Sequence, residues 1–330
     1  MADIGVFEVS KDLNGGNVYE SWLAEALSTA HNVETISVAP NGVRFLPMTH
    51  LRTLANLANV RGEKDVWIRT FLPIAGLSFD RTKGANIGLV HHHFPVKVDF
   101  RYVQNRIIDW LLYRNIRRLD AVVAVSQYWR RYLERRGCQN VHVIYNSFDP
   151  SQFAFDDADV ASFRARHGLE RKPVLYLGNC QQIKGVVEAY QALKDSGFHL
   201  VTSGKRRVDV PTINLDLEYR DYLLLLRAAS VAVTMSLFDE GWCITAHEAM
   251  LCRTPVIGSG RGGMRELLEG GGQFVCSSFD ELPTLVQRAM ADRARLGEAG
   301  YRYASQFTLD RFRREWLALI DTVQGERKAA

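Results

Sequence analysis

Two glutamates, Glu240 and Glu248, stand eight residues apart in the stretch FDEGWCITAHEAMLCRTPVIGSGRGG, residues 238–263. The first falls in a glycine-containing loop after the apolar run VAVTM (231–235). The second falls in a helix-patterned segment that starts near Cys243 or Ile244 and stops before Pro255. The first turn of such a helix offers unpaired N–H groups and the positive end of a dipole, which together suit an anion. Two carboxylates beside a bare anion would repel it. They are better suited to accept hydrogen bonds from hydroxyls, and one carboxylate can take two neighbouring hydroxyls at once. The ligand so described is a diphosphate with a sugar at each end.

Charge developing on a departing diphosphate has to be neutralised, by fixed cations or by a divalent metal. Lys184, in VLYLGNCQQIKG (174–185), and the trio Lys205, Arg206 and Arg207 in SGKRR (203–207) are cations in loops that follow apolar runs. DDAD (156–159) contains a D-x-D, but it sits just before a helical pattern, where Asp159 or a neighbour reads as a helix cap. His91, His92 and His93 close the run IGLV. Adjacent residues of a strand face opposite ways, so three in a row do not make a metal site without further partners. No catalytic metal and no cofactor is expected. Gly15 and Gly16, in NGGN (14–17), allow a ligand to approach the backbone closely.

E-G-W-C-I-x-x-x-E-A-M followed by TPVIGSGRGGMRE is similar to the signature of the retaining glycosyltransferases of family 4, which have the GT-B fold. DLNGGNVYESWLAEALSTAHNV, GLVHHHFP, LDAVVAVSQYWRRYLERRG, VHVIYNSFDPSQF and VLYLGNCQQIKG resemble further segments of that family in the same order, so the likeness runs over most of the chain. The resemblance implies that Glu248 holds ribose hydroxyls of a nucleotide and Glu240 a hydroxyl of the transferred sugar. Backbone N–H groups of Trp242, Cys243 and Ile244 would meet the donor, with Gly15 and Gly16 in the opening glycine loop. Lys184 matches the family's lysine, and one histidine, with His91 in register and His92 and His93 as alternatives, would meet the sugar. Two positions depart from the family. Asn179 replaces an arginine, so that either Lys205, Arg206 or Arg207 supplies the second charge, with Arg206 named for the donor, or donor binding is weakened. Cys243 replaces a glycine next to the donor sugar, which either restricts the sugar or is tolerated drift.

These residues need a scaffold that brings loops to the ends of strands. IGVFEV (4–9), VETISV (33–38), VWI (66–68), IGLV (87–90) and AVVAV (121–125) read as strands, with amphipathic stretches such as 17–29 between several of them. After a break at 145–160 the alternation resumes with PVLYLG (173–178), FHLVTSG (198–204), VAVTM (231–235) and PVIGSG (255–260). Strands buried on both faces and joined by helices give this pattern. The expected fold is α/β, two Rossmann-like doubly wound domains: 1–150, on the acceptor side, and 151–308, binding the donor, facing a central cleft. Residues 309–330 form a last helix returning to the first domain.

The chain has 330 residues, 47% hydrophobic and 24% charged, enough for two cored domains. A net charge of +4 does not by itself point to nucleic acid. Five scattered cysteines without a C-x-x-C pair suggest reduced thiols of the cytosol, and neither a signal peptide nor a spanning segment is read. KVDFRYVQNRIIDWLLYRNIRRLD (97–120) interleaves arginines with apolar residues. It reads equally as a helix lying on an anionic membrane or as an ordinary helix with a solvated basic face. The expected activity is retaining transfer of a sugar from a nucleotide-diphosphate sugar to a hydroxyl of a glycan or glycolipid, in the synthesis of surface polysaccharide or lipopolysaccharide. A non-catalytic nucleotide-sugar-binding subunit and a GT-B sugar-nucleotide epimerase are the alternatives. A dinucleotide dehydrogenase is disfavoured because LNGGNVYE lacks G-x-G-x-x-G.

Overall fold

A computed structural model describes residues 1–9, 15–40, 46–92 and 103–329. The chain divides into two compact units, Met1–Ser147 with Leu309–Ala330, and Phe148–Thr308.

The first unit holds strands β1 (Asp3–Glu8), β2 (Asn32–Ser37), β3 (Arg61–Arg69), β4 (Arg81–Val90), β5 (Ala121–Ala124) and β6 (Val141–Val143). Its helices are α1 (Gly15–Ser28), α2 (Leu46–Ala58), α3 (Phe71–Ala75), α4 (Val103–Asn115) and α5 (Gln127–Arg135). The strands make one parallel sheet in the order β2-β1-β3-β4-β5-β6. Burial follows position. β5, in the sheet interior, is buried along its whole length, whereas edge strand β2 is largely exposed. Tyr19 of α1 is buried, donates its hydroxyl to the Ile144 carbonyl at 3.1 Å, and accepts from Trp316 Nε1 at 3.1 Å.

The second unit holds β7 (Val174–Asn179), β8 (His199–Ser203), β9 (Ile213–Leu215), β10 (Val231–Thr234), β11 (Val256–Gly258) and β12 (Phe274–Val275). Its helices are α6 (Asp157–Arg166), α7 (Val186–Leu193), α8 (Tyr219–Ala228), α9 (Ile244–Leu251), α10 (Met264–Gly270), α11 (Leu282–Ala291) and α12 (Arg293–Ala304). The chain ends in α13 (Leu309–Ala329), whose Trp316 is the partner of Tyr19 and thus belongs to the first unit. The second sheet is also parallel, in the order β12-β11-β10-β7-β8-β9. Its order reverses between β7 and β10: the chain leaving β7 goes on to β8 on one side and the chain leaving β10 goes on to β11 on the other, which makes the carboxyl ends of these two strands the switch point of the sheet. The matching switch in the first sheet lies between β1 and β3, where α1 begins after β1. Short strands β6, β9 and β12, of two or three residues, carry too little pattern to be read from sequence.

DDAD also behaves differently from the expected side-chain cap. Asp156 occupies the N-cap position of α6 but makes no capping hydrogen bond. Asp157 and Asp159 lie in the first turn, where their charges complement the helix dipole.

Candidate functional site

The site is assembled at the reversal of the second sheet. β7 ends at Asn179, and a single 3-10 turn, Gln182–Lys184, leads to Gly185 at φ 69°. A Cβ on Gly185 would sit 2.2 Å from the Met235 carbonyl oxygen, so only glycine lets this loop press against the one leaving β10. Leu237 N–H donating to the Ile183 carbonyl at 2.9 Å joins the two loops. Lys184 is thereby aimed at Glu240: Nζ donates to Oε1 at 2.7 Å and lies 4.8 Å from the Phe238 ring centre. Ser236 donates its hydroxyl to the same oxygen at 2.5 Å. Glu240 is 7% exposed, and its charge is held by this lysine and hydroxyl.

The Glu240 backbone is fixed by the glycines after β11. Glu240 forms a parallel bridge with Gly262, and Gly263 N–H donates to its carbonyl at 2.9 Å. Gly262 has φ 64°, and a Cβ there would lie 2.3 Å from the Glu240 carbonyl oxygen. The glycines of SGRGG therefore serve the carboxylate's position. Gly262→Ala should lower stability by roughly 2–3 kcal/mol, from left-handed strain and the clash, and should lower activity with it. Thermal melts and rates of the variant check this.

Cys243 precedes α9 in the left-handed region, φ 71° and ψ 77°. It is buried, and burial foremost pushes its thiol up to about 12, so it remains a neutral group and no nucleophile. Its carbonyl accepts from the N–H groups of Ala246 and His247. The N–H groups of Ile244 and Thr245 precede the first intrahelical donors and have no partner among the described residues. The Trp242 side chain does not face the site. Its indole N–H donates to His247 Nδ1 at 3.0 Å and its ring packs edge-on against Phe307. His247 in turn donates Nε2–H to the Ala304 carbonyl at 3.1 Å, and burial lowers its pKa to about 4, so the ring is a neutral brace under α9.

One turn into α9, Glu248 is 4% exposed. Tyr219 donates its hydroxyl to one carboxylate oxygen and Tyr222 to the other, each at 3.0 Å. Burial is the main influence on the acid and raises its pKa to about 7, with the two hydroxyls pulling it back down. Both tyrosines are themselves pushed upward, by burial and then by the Glu248 charge, and stay protonated as donors. Neither tyrosine is marked by the sequence, because YRDYLLLLRAA reads only as an amphipathic helix. The spacing of three between them, which places both on one face, was the available signal.

Asn179 is oriented by Ser203, whose hydroxyl donates to its amide oxygen at 2.8 Å, and by Tyr176 at 3.4 Å. Its amide group is thus set to donate through nitrogen. Arg206, expected on the donor, is bonded to its own loop: Nη1 donates to the Val210 carbonyl at 2.9 Å and Nη2 to that of Thr212 at 3.1 Å. The guanidinium braces the segment between β8 and β9. Lys205 and Arg207 on either side are exposed.

In the first unit, His91 follows β4 with its ring edge-on to Tyr19, centroids 5.1 Å apart, and Nε2 3.6 Å from Glu20 Oε1. His92 is exposed, and His93 lies outside the described residues. Gly15 and Gly16 are the first residues of α1, rather than part of a loop ahead of it, and residues 10–14 lie outside the described ones. Among the described residues no group of histidine, cysteine, aspartate and glutamate side chains is arranged to hold a metal ion, and no helix is long and apolar enough to cross a membrane. The five cysteines are buried and unbridged.

Comparison with known proteins bears on both units. Residues 66–152 match the family described as Glycosyltransferase Family 4, and residues 159–303 match Glycosyl transferases group 1. Between them these matches cover well over half of the chain. Among curated proteins, none matches. Among solved structures, the chain is similar to HepE of Anabaena in complex with UDP-glucose, with 16% identity and a TM-score of 0.76, covering 98% of this chain and 100% of that one. It is similar to sucrose-phosphate synthase of Thermosynechococcus elongatus, with 18% identity and a TM-score of 0.79, covering 98% and 99%. A third likeness is to the α,α-trehalose 6-phosphate synthase of Burkholderia multivorans, with 15% identity and a TM-score of 0.69, covering 98% and 99%.

Proposed function

Because the chain belongs to the family 4 glycosyltransferases, with the GT-B fold, we propose that it transfers a sugar, with retention at the anomeric carbon, from a nucleotide-diphosphate sugar to a hydroxyl of a glycan or glycolipid. The observation that carries this reading is the convergence at one sheet reversal of Lys184, Glu240, the open first turn of α9 and, one turn on, Glu248. HepE, solved with UDP-glucose, supports a nucleotide-sugar donor.

In this reading the ribose diol donates to Glu248, and the diphosphate lies against the α9 amides and Lys184. Glu240 accepts a hydroxyl of the transferred sugar. The acceptor hydroxyl attacks on the leaving group's face. Its oxygen bonds to the anomeric carbon as the bond to the diphosphate breaks, and a diphosphate oxygen takes its proton. Lys184 and the amide dipoles supply the positive charge, so no metal is assigned to the step. Chelation should leave the rate unchanged, and loss restored by Mg²⁺ or Mn²⁺ would contradict that. The role of His91 at the transferred sugar rests on the resemblance in sequence.

With Arg206 engaged in its own loop, Lys205 or Arg207 is assigned the second cation in place of the family arginine at Asn179. Arg207→Ala should lower kcat/KM about 10–100-fold, whereas Arg206→Ala should act mainly on loop stability. Unchanged kinetics in every variant of the trio, with Asn179→Arg raising the rate, would place the missing charge at 179 instead. Asn179 and Cys243 are also what favours the second reading, a subunit that binds the donor without turnover. Mass spectrometry of mixtures with UDP-, GDP- and ADP-sugars and candidate acceptors tests both. Transfer supports the first reading; binding without consumption supports the second; an epimerised sugar with no need of acceptor would overturn both.

A further inference from the structure

One face of α4 is built unlike the surface around it. Ile108, Leu111, Leu112 and Asn115 turn inward and are buried. Arg106, Ile107, Trp110 and Arg114 fall within about a third of the opposite circumference at the helical repeat and all face solvent. Ile107 is 55% and Trp110 58% exposed. The Arg114 guanidinium carbon lies 5.3 Å from the Trp110 ring centre, which leaves the indole standing out between two arginines.

The cationic surface continues past this helix. Arg117 and Arg118 follow in the next turn, and Arg117 Nε donates to the Arg136 carbonyl at 2.9 Å, joining the end of α4 to the end of α5. A Tyr113–Tyr132 hydroxyl contact of 2.8 Å holds α4 and α5 side by side. Arg131, Arg135 and Arg136 are exposed on α5 and just after it. Acidic groups here are few. Arg130 pairs with Glu134, and Asp109 is raised to about 6 by burial, opposed by Arg136. Among the described residues Arg106, Arg114, Arg117, Arg118, Arg131 and Arg135 have no carboxylate at ion-pair distance.

We propose that this face of α4, with the adjoining arginines of α5, docks the protein on an anionic lipid bilayer, Trp110 and Ile107 entering the interface and the arginines meeting lipid phosphates. The chemistry selects this occupant. A duplex backbone would use the arginines but offers nothing for a paired isoleucine and tryptophan, and a single strand would stack a base on Trp110 but leave Ile107 in water. A second copy of the same face would bring two cationic surfaces together. An apolar centre ringed by arginine, on a helix lying flat on the surface, matches an anionic interface on both counts. The inference does not depend on the glycosyltransferase reading, and its test needs no sugar.

The full chain is sedimented with vesicles of phosphatidylcholine alone and of phosphatidylcholine mixed with phosphatidylglycerol, at low and high salt. Sedimentation with the anionic vesicles only, weakening as salt rises, is expected. Arg106→Ala with Arg114→Ala should lower the partition about 5-fold for each arginine removed. Trp110→Ser should lower it about 10-fold by removing most of one indole's burial. All three substitutions lie on an exposed face and leave the fold intact by circular dichroism. Of the other five tryptophans, Trp67, Trp129, Trp242 and Trp316 are buried and Trp22, on α1, is half-buried, so bromine-labelled lipid should quench the wild type more than Trp110→Phe, and a Trp22→Phe background makes Trp110 the reporter. Equal binding to neutral vesicles, no binding, or binding undiminished in the variants would each overturn the proposal. So would lipid-independent protection of Trp110 at high protein concentration, which would make the face a contact between copies, or binding of polynucleotide by protein that ignores vesicles.

Discussion

Lys184→Ala is expected to slow sugar transfer by about 10²–10³-fold in kcat/KM, the cost of removing one fixed charge from a developing anion in a partly dry site. The lysine's amine is fixed before any ligand arrives, by a 2.7 Å bond to Glu240 and by the Phe238 ring beneath it. Part of its effect on the diphosphate is therefore preorganisation. The substitution also removes the ammonium from beside Glu240, which is 7% exposed and keeps the Ser236 hydroxyl, so stability should fall as well. Lys184→Arg retains charge but not the point geometry and should recover only part of the rate. A kinetic comparison at saturating donor separates the two contributions. A loss confined to KM would mean that the lysine only binds, and a fall in kcat that it acts on the departing group. Glu240→Gln retains the hydrogen bond from Ser236 while removing the charge pair, and should lie between wild type and Lys184→Ala.

The second large effect is on pH. Glu248 has its pKa raised to about 7, above the ordinary value of 4.5, chiefly by burial. In the folded protein without ligand it is therefore about half protonated at neutral pH. The fold prefers the protonated form. The contribution of this group to stability is present in full below the unfolded value, and is lost as pH rises from there through about 7. Donor binding runs the opposite way. A ribose diol donates hydrogen bonds and favours the ionised carboxylate, so affinity should increase from pH 6 to pH 8, by roughly 10-fold if the acid must ionise to bind. Groups packed on Glu248 do not confuse the measurement: the hydroxyls of Tyr176, Tyr219 and Tyr222 and the thiol of Cys252 all have raised pKa values and stay protonated across this range. A nucleotide sugar is the right probe, because its diphosphate carries no proton that titrates there. Glu248→Gln should bind more weakly, by about 10-fold or more, and without the pH dependence. A wild-type affinity flat between pH 6 and pH 8 would remove Glu248 from the ribose.

How much of this could be read from sequence depended on what each residue's role needed. AVVAV and VAVTM announce interior strands because burial on both faces demands continuous β-branched apolar residues, and β5 and β10 are buried along their length. Glycines of the SGRGG loop could be placed but not explained. Only the fold shows that Gly262 faces the Glu240 carbonyl and that a side chain there would displace the carboxylate. Arg206 shows the limit for charges. A cation in a loop after a strand looks available to a ligand, yet in a segment this tight the nearer acceptors are its own carbonyls. Tyr219 and Tyr222 were hidden because hydroxyl direction depends on how α8 is rotated against α9, which no local pattern encodes. The left-handed conformation of Cys243 was equally hidden, since cysteine gives no hint of it. The basic helix at 103–115 could be read in two ways from sequence; the exposure of Trp110 and Ile107 on its arginine face now favours one of them.

The central claim is that the reversal of the second sheet holds a nucleotide-diphosphate sugar through Lys184 and Glu248. Its most direct test is calorimetric titration of the full chain with UDP-, GDP- and ADP-sugars, repeated with Lys184→Ala and Glu248→Ala. Saturable heat is predicted for the sugars of at least one base, strongly reduced in both variants while their folded circular dichroism is retained. Absence of heat with every compound, or undiminished binding in both variants, would contradict it.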